Sequence, residues 1–160
     1  MATVNENGAR AFATLKQYLD HAGWQVEEIE PGSSFRSRKE RERAAVIYYF
    51  QIKTELEQFL FYIVPEINVF KELLHPAAEY ICRANFGMRI GNFELDFRDG
   101  QVAFRSSINF KGVPLSEKLI DNMIQPALTA YEEFYPGLIR VLAALDTPAQ
   151  AIAKIEYAEK

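Results

Sequence analysis

Apolar and polar residues alternate one by one through Phe93, Leu95 and Phe97, and again through Val102, Phe104, Ser106, Ile108 and Phe110. Asn92, Glu94, Asp96 and Arg98 fill the gaps of the first run, and Ala103, Arg105, Ser107 and Asn109 those of the second. Period-two alternation on both sides of Asp99-Gly100 predicts a β-hairpin. A two-residue type I′ turn needs positive φ at both central positions, which Asp tolerates and Gly accepts freely. Such a turn pairs Arg98 with Gln101, Phe97 with Val102, Leu95 with Phe104 and Phe93 with Ser106. Glu94 then lies opposite Arg105, a favourable cross-strand pair. One face of the hairpin is apolar and must be covered.

The same reading extends along the chain. Phe12, Leu15, Leu19 and Ala22 recur at helical spacing, predicting a helix from about Asn5 to Ala22. Thr3 with Glu6 reads as its capping box and Gly23 as its stop. Trp24–Ile29 reads as a short strand and Pro31–Ser34 as a loop. Val46, Tyr48, Phe50 and Ile52 alternate with Ile47, Tyr49 and Gln51, so Ala44–Lys53 reads as a strand. Gln58–Val64 is apolar on both faces and reads as a buried strand ending at Pro65. Thr54 and Glu57 leave a helix cap open between these two, but the crowding of Phe, Tyr, Ile and Val favours a hairpin. Phe70–Leu74 reads as a helical turn. Pro76–Asn85 reads as a helix with proline at its first position.

Ser116–Leu145 is the longest helical pattern. Ile124, Ala127, Tyr131, Phe134, Leu138, Val141 and Leu145 form its stripe, and Ser116 is its N-cap. Pro126 and Pro136 interrupt it, so it is expected to kink or break near both. Thr147-Pro148 opens a short Ala-rich terminal helix. The pattern as a whole predicts an α+β protein. A twisted antiparallel sheet of about five strands carries helices packed on it, in the order α-β-β-β-α-β-β-α(-α).

Length and composition narrow the class. The 160 residues suggest one domain over 1–160, with 147–160 a helical extension. A net charge of −4 argues against nucleic-acid binding by the whole surface. Cys82 is the only cysteine, which leaves no internal disulfide and no cysteine cluster for zinc. The first residues carry neither a basic region nor an apolar run, and no stretch reaches the length of a membrane span, so a cytoplasmic protein is expected.

Candidate chemistry is sparse. His21 and His75 have no metal-ligand neighbour at helical spacing. Cys82 sits among Tyr80, Ile81 and Ala84, where a small buried hydrophobe is expected. Glu94 and Asp96 share a face, but pairing with Arg105 accounts for Glu94. No phosphate-binding glycine loop is present. No catalytic, metal or cofactor residues are assigned, and an enzyme is not expected. The one charge run is Arg36–Arg43: Arg36, Arg38, Lys39, Arg41 and Arg43 against Glu40 and Glu42. It reads either as a basic patch for RNA or an acidic partner, or as a solvated loop or charged edge strand.

Asn85-Phe86-Gly87, Gly91-Asn92-Phe93-Glu94-Leu95-Asp96, Asp99-Gly100, Gly112-Val113-Pro114-Leu115-Ser116 and Tyr131…Phe134-Tyr135-Pro136 resemble the middle of the YbjN-like family. The resemblance implies a fold like that of type III secretion chaperones. It implies a non-enzymatic protein-binding, chaperone-like or regulatory module with a protein partner. It also suggests a homodimer, since chaperones of that fold commonly pair. Ala77, Tyr80, Ile81 and Ala84 are the candidate partner or dimer surface. RNA or acidic-partner binding through 36–43 is the alternative.

Overall fold

The computed structural model describes residues 5–42 and 44–158. The elements run α1 (Glu6–His21), β1 (Glu27–Glu30), β2 (Ser34–Lys39), β3 (Val46–Lys53), β4 (Gln58–Pro65), α2 (Leu74–Gly87), β5 (Asn92–Leu95), β6 (Val102–Asn109), α3 (Glu117–Leu142) and α4 (Pro148–Ala158). One-turn 3-10 helices follow β3 and precede α2. The six strands form one antiparallel sheet in the order β1-β2-β3-β4-β6-β5.

The alternation seen in sequence becomes burial. Tyr48, Phe50 and Ile52 of β3, Phe59, Phe61 and Ile63 of β4, and Val102 and Phe104 of β6 all face inward and are almost wholly buried. α1 and α3 cover them: Phe12 stacks on Phe35 of β2 at 4.8 Å, and Tyr131 of α3 meets Phe93 and Phe104 at 6.0 and 6.4 Å. α2 packs beside α3, and α4 lies on both. This is the helix-on-one-face layering of an α+β fold.

The sheet has six strands rather than about five, because the start of the charge run forms β2. The run is not an edge: it lies between β1 and β3. Phe35 and Ser37 point into the core at 3% and 4% exposure while Arg36 and Arg38 point out. The charged outward positions hide that alternation in the sequence. β1 begins at Glu27, so Trp24 precedes it and instead packs edge-on against Tyr48 and Phe50.

The hairpin forms where expected but in another register. Phe93 pairs with Phe104, Glu94 with Ala103 and Leu95 with Val102. The turn is wider than type I′: Asp96 N–H donates to Gln101 O at 2.9 Å and Gly100 N–H to Asp96 O at 2.8 Å. Gly100 has φ 76, whereas Asp99 is not in the left-handed region. Two carboxylates make the wider loop. Asp96 accepts Arg98 N–H at 2.8 Å and Asp99 accepts Gln101 N–H at 2.9 Å. A slide of two residues keeps every strand side chain on its expected face. The Glu94–Arg105 pair persists as a diagonal contact at 2.7 Å. Phe97 leaves the apolar face for the loop and is 52% exposed.

Asn5 caps α1, accepting Gly8 N–H at 3.0 Å; Thr3 lies outside the described residues. α2 starts at Leu74, so Pro76 is its third residue, still within the first turn where no intrahelical donor is missed. α3 is capped by Ser116, which accepts Leu119 N–H at 3.2 Å. It runs unbroken through Pro126 and Pro136. Ile124, Ala127 and Leu138 around them are fully buried, so packing holds the helix where the ladder loses bonds. It ends at Leu142, three residues short of the periodic pattern.

Candidate functional site

The second face of the sheet is open. Arg36, Tyr49, Tyr62, Arg105 and Asn92 lie side by side across five strands, and Arg38, Ile47 and Val64 form the neighbouring row. Gln51 pairs with Leu60 on the far side of the tyrosines. Ile47, Tyr49, Leu60, Tyr62 and Val64 are only half-buried, in contrast to their inward neighbours. They form a continuous aromatic and aliphatic stripe along β3 and β4. The signal for it was the apolar outer face of β4, since a strand needs apolar residues on both faces only if both are covered.

Ion pairs frame the stripe. Arg36 Nε donates to Glu27 at 2.6 Å. Arg38 donates through Nε and Nη2 to the two carboxylate oxygens of Glu66, at 3.0 and 2.7 Å, and also reaches Glu40. These bonds hold the Glu66 carboxyl below its ordinary pKa. Arg105 meets Glu94 on the other flank. Arg41 donates to Tyr48 Oη at 3.3 Å and to Glu132 of α3 at 3.1 Å. Lys39 Nζ stands 4.1 Å from the centroid of the Trp24 ring, a cation–π contact. Arg43 lies outside the described residues. Arg36, Arg38 and Arg41 are thus each matched by a carboxylate from elsewhere in the chain. Glu27, Glu66 and Glu132 stand 9, 28 and 91 residues away from them, so sequence proximity could not reveal them.

Both sheet edges are closed. β1 reads Glu-Glu-Ile-Glu, all exposed, with an irregularity between Glu28 and Glu30. Charge and a bulge both discourage strand addition. At the other edge, the side-chain amide of Asn85 takes the place of a neighbouring strand. Its Oδ1 accepts Phe93 N–H at 2.8 Å and its Nδ2 donates to Phe93 O at 2.9 Å. This gives the Asn85-Phe86-Gly87 motif a structural role.

Other residues singled out in the sequence fall elsewhere. Ala77, Tyr80, Ile81 and Ala84 are 0%, 0%, 7% and 2% exposed. α3, α4 and β5 pack on α2, so these four residues belong to the core of the chain and present no surface to a partner. The correction has a simple cause: the sequence shows an apolar helix face but not that two later helices cover it. Cys82, expected to be buried, is exposed on the opposite side of α2. His21 joins α1 to α3 through Glu117 at 3.0 Å, and this carboxylate raises its pKa. His75 packs edge-on against Phe97 at 5.9 Å. Asp96 is bound by Arg98, which holds its carboxyl down at about 2. Among the described residues no group of three or more His, Cys, Asp or Glu side chains is placed to hold a metal ion, and no helix is long and apolar enough to cross a membrane.

Residues 11–140 match the model of the family YbjN, described as "Putative bacterial sensory transduction regulator". No curated protein matches the chain. Among solved structures, YbjN from E. coli, described as "a putative transcription regulator", aligns with a TM-score of 0.59 at 15% identity, covering 82% of this chain and 89% of that one. An uncharacterized protein from Methanothermobacter thermautotrophicus aligns with a TM-score of 0.50 at 15% identity, covering 81% and 97%. The HopA1–SchA chaperone–effector complex aligns with a TM-score of 0.48 at 14% identity, covering 79% and 94%. The likeness to the E. coli and Methanothermobacter proteins shows a shared fold and nothing further.

Proposed function

The chain belongs to the YbjN family, and from that premise we propose that it is a non-enzymatic protein-binding module of regulatory kind whose docking surface is the open face of the sheet. The observation that carries this reading is the stripe of Ile47, Tyr49, Leu60, Tyr62 and Val64, which among the described residues has no covering helix while the inner face is buried under helices. Tyrosine is suited to such a role: it offers a large apolar body and a polar tip at low entropic cost. Because Asn85 and the charged β1 close the two edges, the partner meets side chains rather than adding a strand. The partner segment fitting this surface is apolar at its centre. Its flanks carry charges of both signs to meet the Arg36–Glu27, Arg38–Glu66 and Glu94–Arg105 pairs.

The test compares the intact chain with Tyr62→Lys and with a helix-side control, Lys16→Glu. A partner isolated on the intact chain is expected to bind Tyr62→Lys at least about tenfold more weakly, the size of a central aromatic anchor. Lys16→Glu is expected to bind as before. Undiminished binding by a folded Tyr62→Lys moves the surface elsewhere.

A further inference from the structure

The corner between α3 and α4 works against its own sequence. Leu142-Ala143-Ala144-Leu145 is a strong helix-forming run, and the stripe of α3 extends to Leu145. The helix nevertheless ends at Leu142, and Ala144 turns into the left-handed region at φ 53. Glycine ordinarily takes that place after a helix, because a Cβ there meets the following carbonyl. Leu145 is left 63% exposed. Backbone bonds close the bend, Ala144 N–H donating to Val141 O at 3.0 Å and Leu145 N–H to Arg140 O at 2.9 Å, and two side-chain devices hold it. Asp146, whose side chain is 5% exposed, accepts from Arg140 of α3 and, at 2.6 Å, from Lys154 of α4. Thr147 and Gln150 cap the start of α4 reciprocally, at 2.9 and 3.3 Å. Beyond the bend, α4 seats Ala151 and Ile152 at 2% and 8% exposure against α2 and α3. A groove of 740 Å³ remains between the three helices. The family match ends at residue 140, so all of this device except Arg140 lies beyond it.

We propose that residues 143–146 are a hinge through which two copies of the chain exchange α4, each seating its α4 on the α2–α3 surface of the other. Opening returns Ala144 to the right-handed conformation and lets α3 gain about one turn. Four residues at about 1.5 Å each carry the start of α4 about 6 Å past its own seat. Pro148 stops the extension, because the residue before a proline avoids helical geometry. The seat of Ala151 and Ile152 is identical in the second copy, so the apolar packing that one chain gives up is re-formed on the other. What separates the two states is local. The closed chain keeps the Asp146 clamp and the two backbone bonds of the bend, and the exchanged pair gains helix, with its own backbone bonds, and relaxes Ala144. A short hinge held in an unfavourable conformation is the circumstance that favours exchange of an identical element.

The experiment is sedimentation equilibrium of the full chain from micromolar to millimolar concentration, with Ala144→Gly and Asp146→Asn beside it. Glycine removes the cost of the bend and lowers the dimer constant by about tenfold per hinge. Asn loosens the clamp and raises the dimer fraction; if that variant does not fold, Lys154→Gln takes its place. The expected order of dimer fraction is Asp146→Asn, then the unaltered chain, then Ala144→Gly. A monomer mass at every concentration in all three overturns the proposal. So does a dimer equally populated in all three, since a pairing through another surface has no reason to respond to Ala144.

Discussion

Asn85 holds Phe93 by both of its backbone groups, accepting the N–H at 2.8 Å and donating to the carbonyl at 2.9 Å. One side chain thereby joins the end of α2 to the outermost strand and occupies two groups that would otherwise invite a foreign strand. Asn85→Ala leaves both partly buried groups without a partner and is expected to lower stability by about 1–3 kcal/mol. Urea unfolding should show an earlier midpoint at similar slope. An unchanged midpoint would mean that water replaces the amide without loss.

Tyr80 and Gly137 form a second tight contact. The hydroxyl donates to Phe134 O at 2.6 Å, and a Cβ built on Gly137 would lie 2.3 Å from that hydroxyl oxygen. Gly137→Ala is expected to cost about 1–3 kcal/mol by overpacking, and Tyr80→Phe about 1 kcal/mol for the lost bond. The double variant should be more stable than the sum implies, because removing the oxygen makes room for the methyl group. Strict additivity of the three unfolding free energies would contradict this account.

Gly100 combines φ 76 with close approach: an added Cβ would lie 2.1 Å from Val69 O, while Val69 N–H donates to Gly100 O at 2.8 Å. Gly100→Val is expected to destabilise the fold by at least about 1 kcal/mol. A melting midpoint equal to that of the unaltered chain would show that the two loops part freely.

Glu57 ties three segments together. Its carboxylate accepts from Asn5 at 2.9 Å, Asn7 at 2.7 Å and Gly112 N–H at 2.7 Å. The bond from Asn5, then those from Gly112 and Asn7, hold its pKa down at about 2, against an ordinary 4.5. A depressed carboxyl contributes stability that is fully present above its ordinary pKa and is lost as the pH falls through the folded value. Melting temperatures of the intact chain and Glu57→Gln should therefore differ most above pH 4.5 and converge toward pH 2. A difference that stays constant across that window would remove the charge from the explanation.

Much of the fold was legible in local pattern. β3, β4 and the hairpin announce themselves through strict alternation of Phe, Tyr, Ile and Val, and α1 and α3 through their stripes and caps. β2 was not, because Arg36 and Arg38 face outward and a single large apolar side chain, Phe35, marks its inward face. The hairpin register slid because Asp96 and Asp99 each accept a backbone N–H two residues on, which favours a wider loop than Asp-Gly alone indicates. The surface was legible in part: the doubly apolar β4 signalled an outer apolar face. What the sequence could not show is which apolar faces the chain covers itself. α4 packs on α2, where Ile81 and Ala84 are buried, whereas among the described residues no helix covers Tyr49 and Tyr62, which stay half-buried.

Photo-crosslinking reports whether a partner protein sits on the open face of the sheet. A photoreactive residue is placed in turn at Tyr49 and Tyr62 on the open face, and at Lys16 and Lys118 on the helical side, each in the full chain with its melting temperature checked. A shared adduct of one higher mass is predicted from Tyr49 and Tyr62 and from neither lysine position. An adduct from Lys16 or Lys118, with none from the two tyrosine positions, would contradict the account.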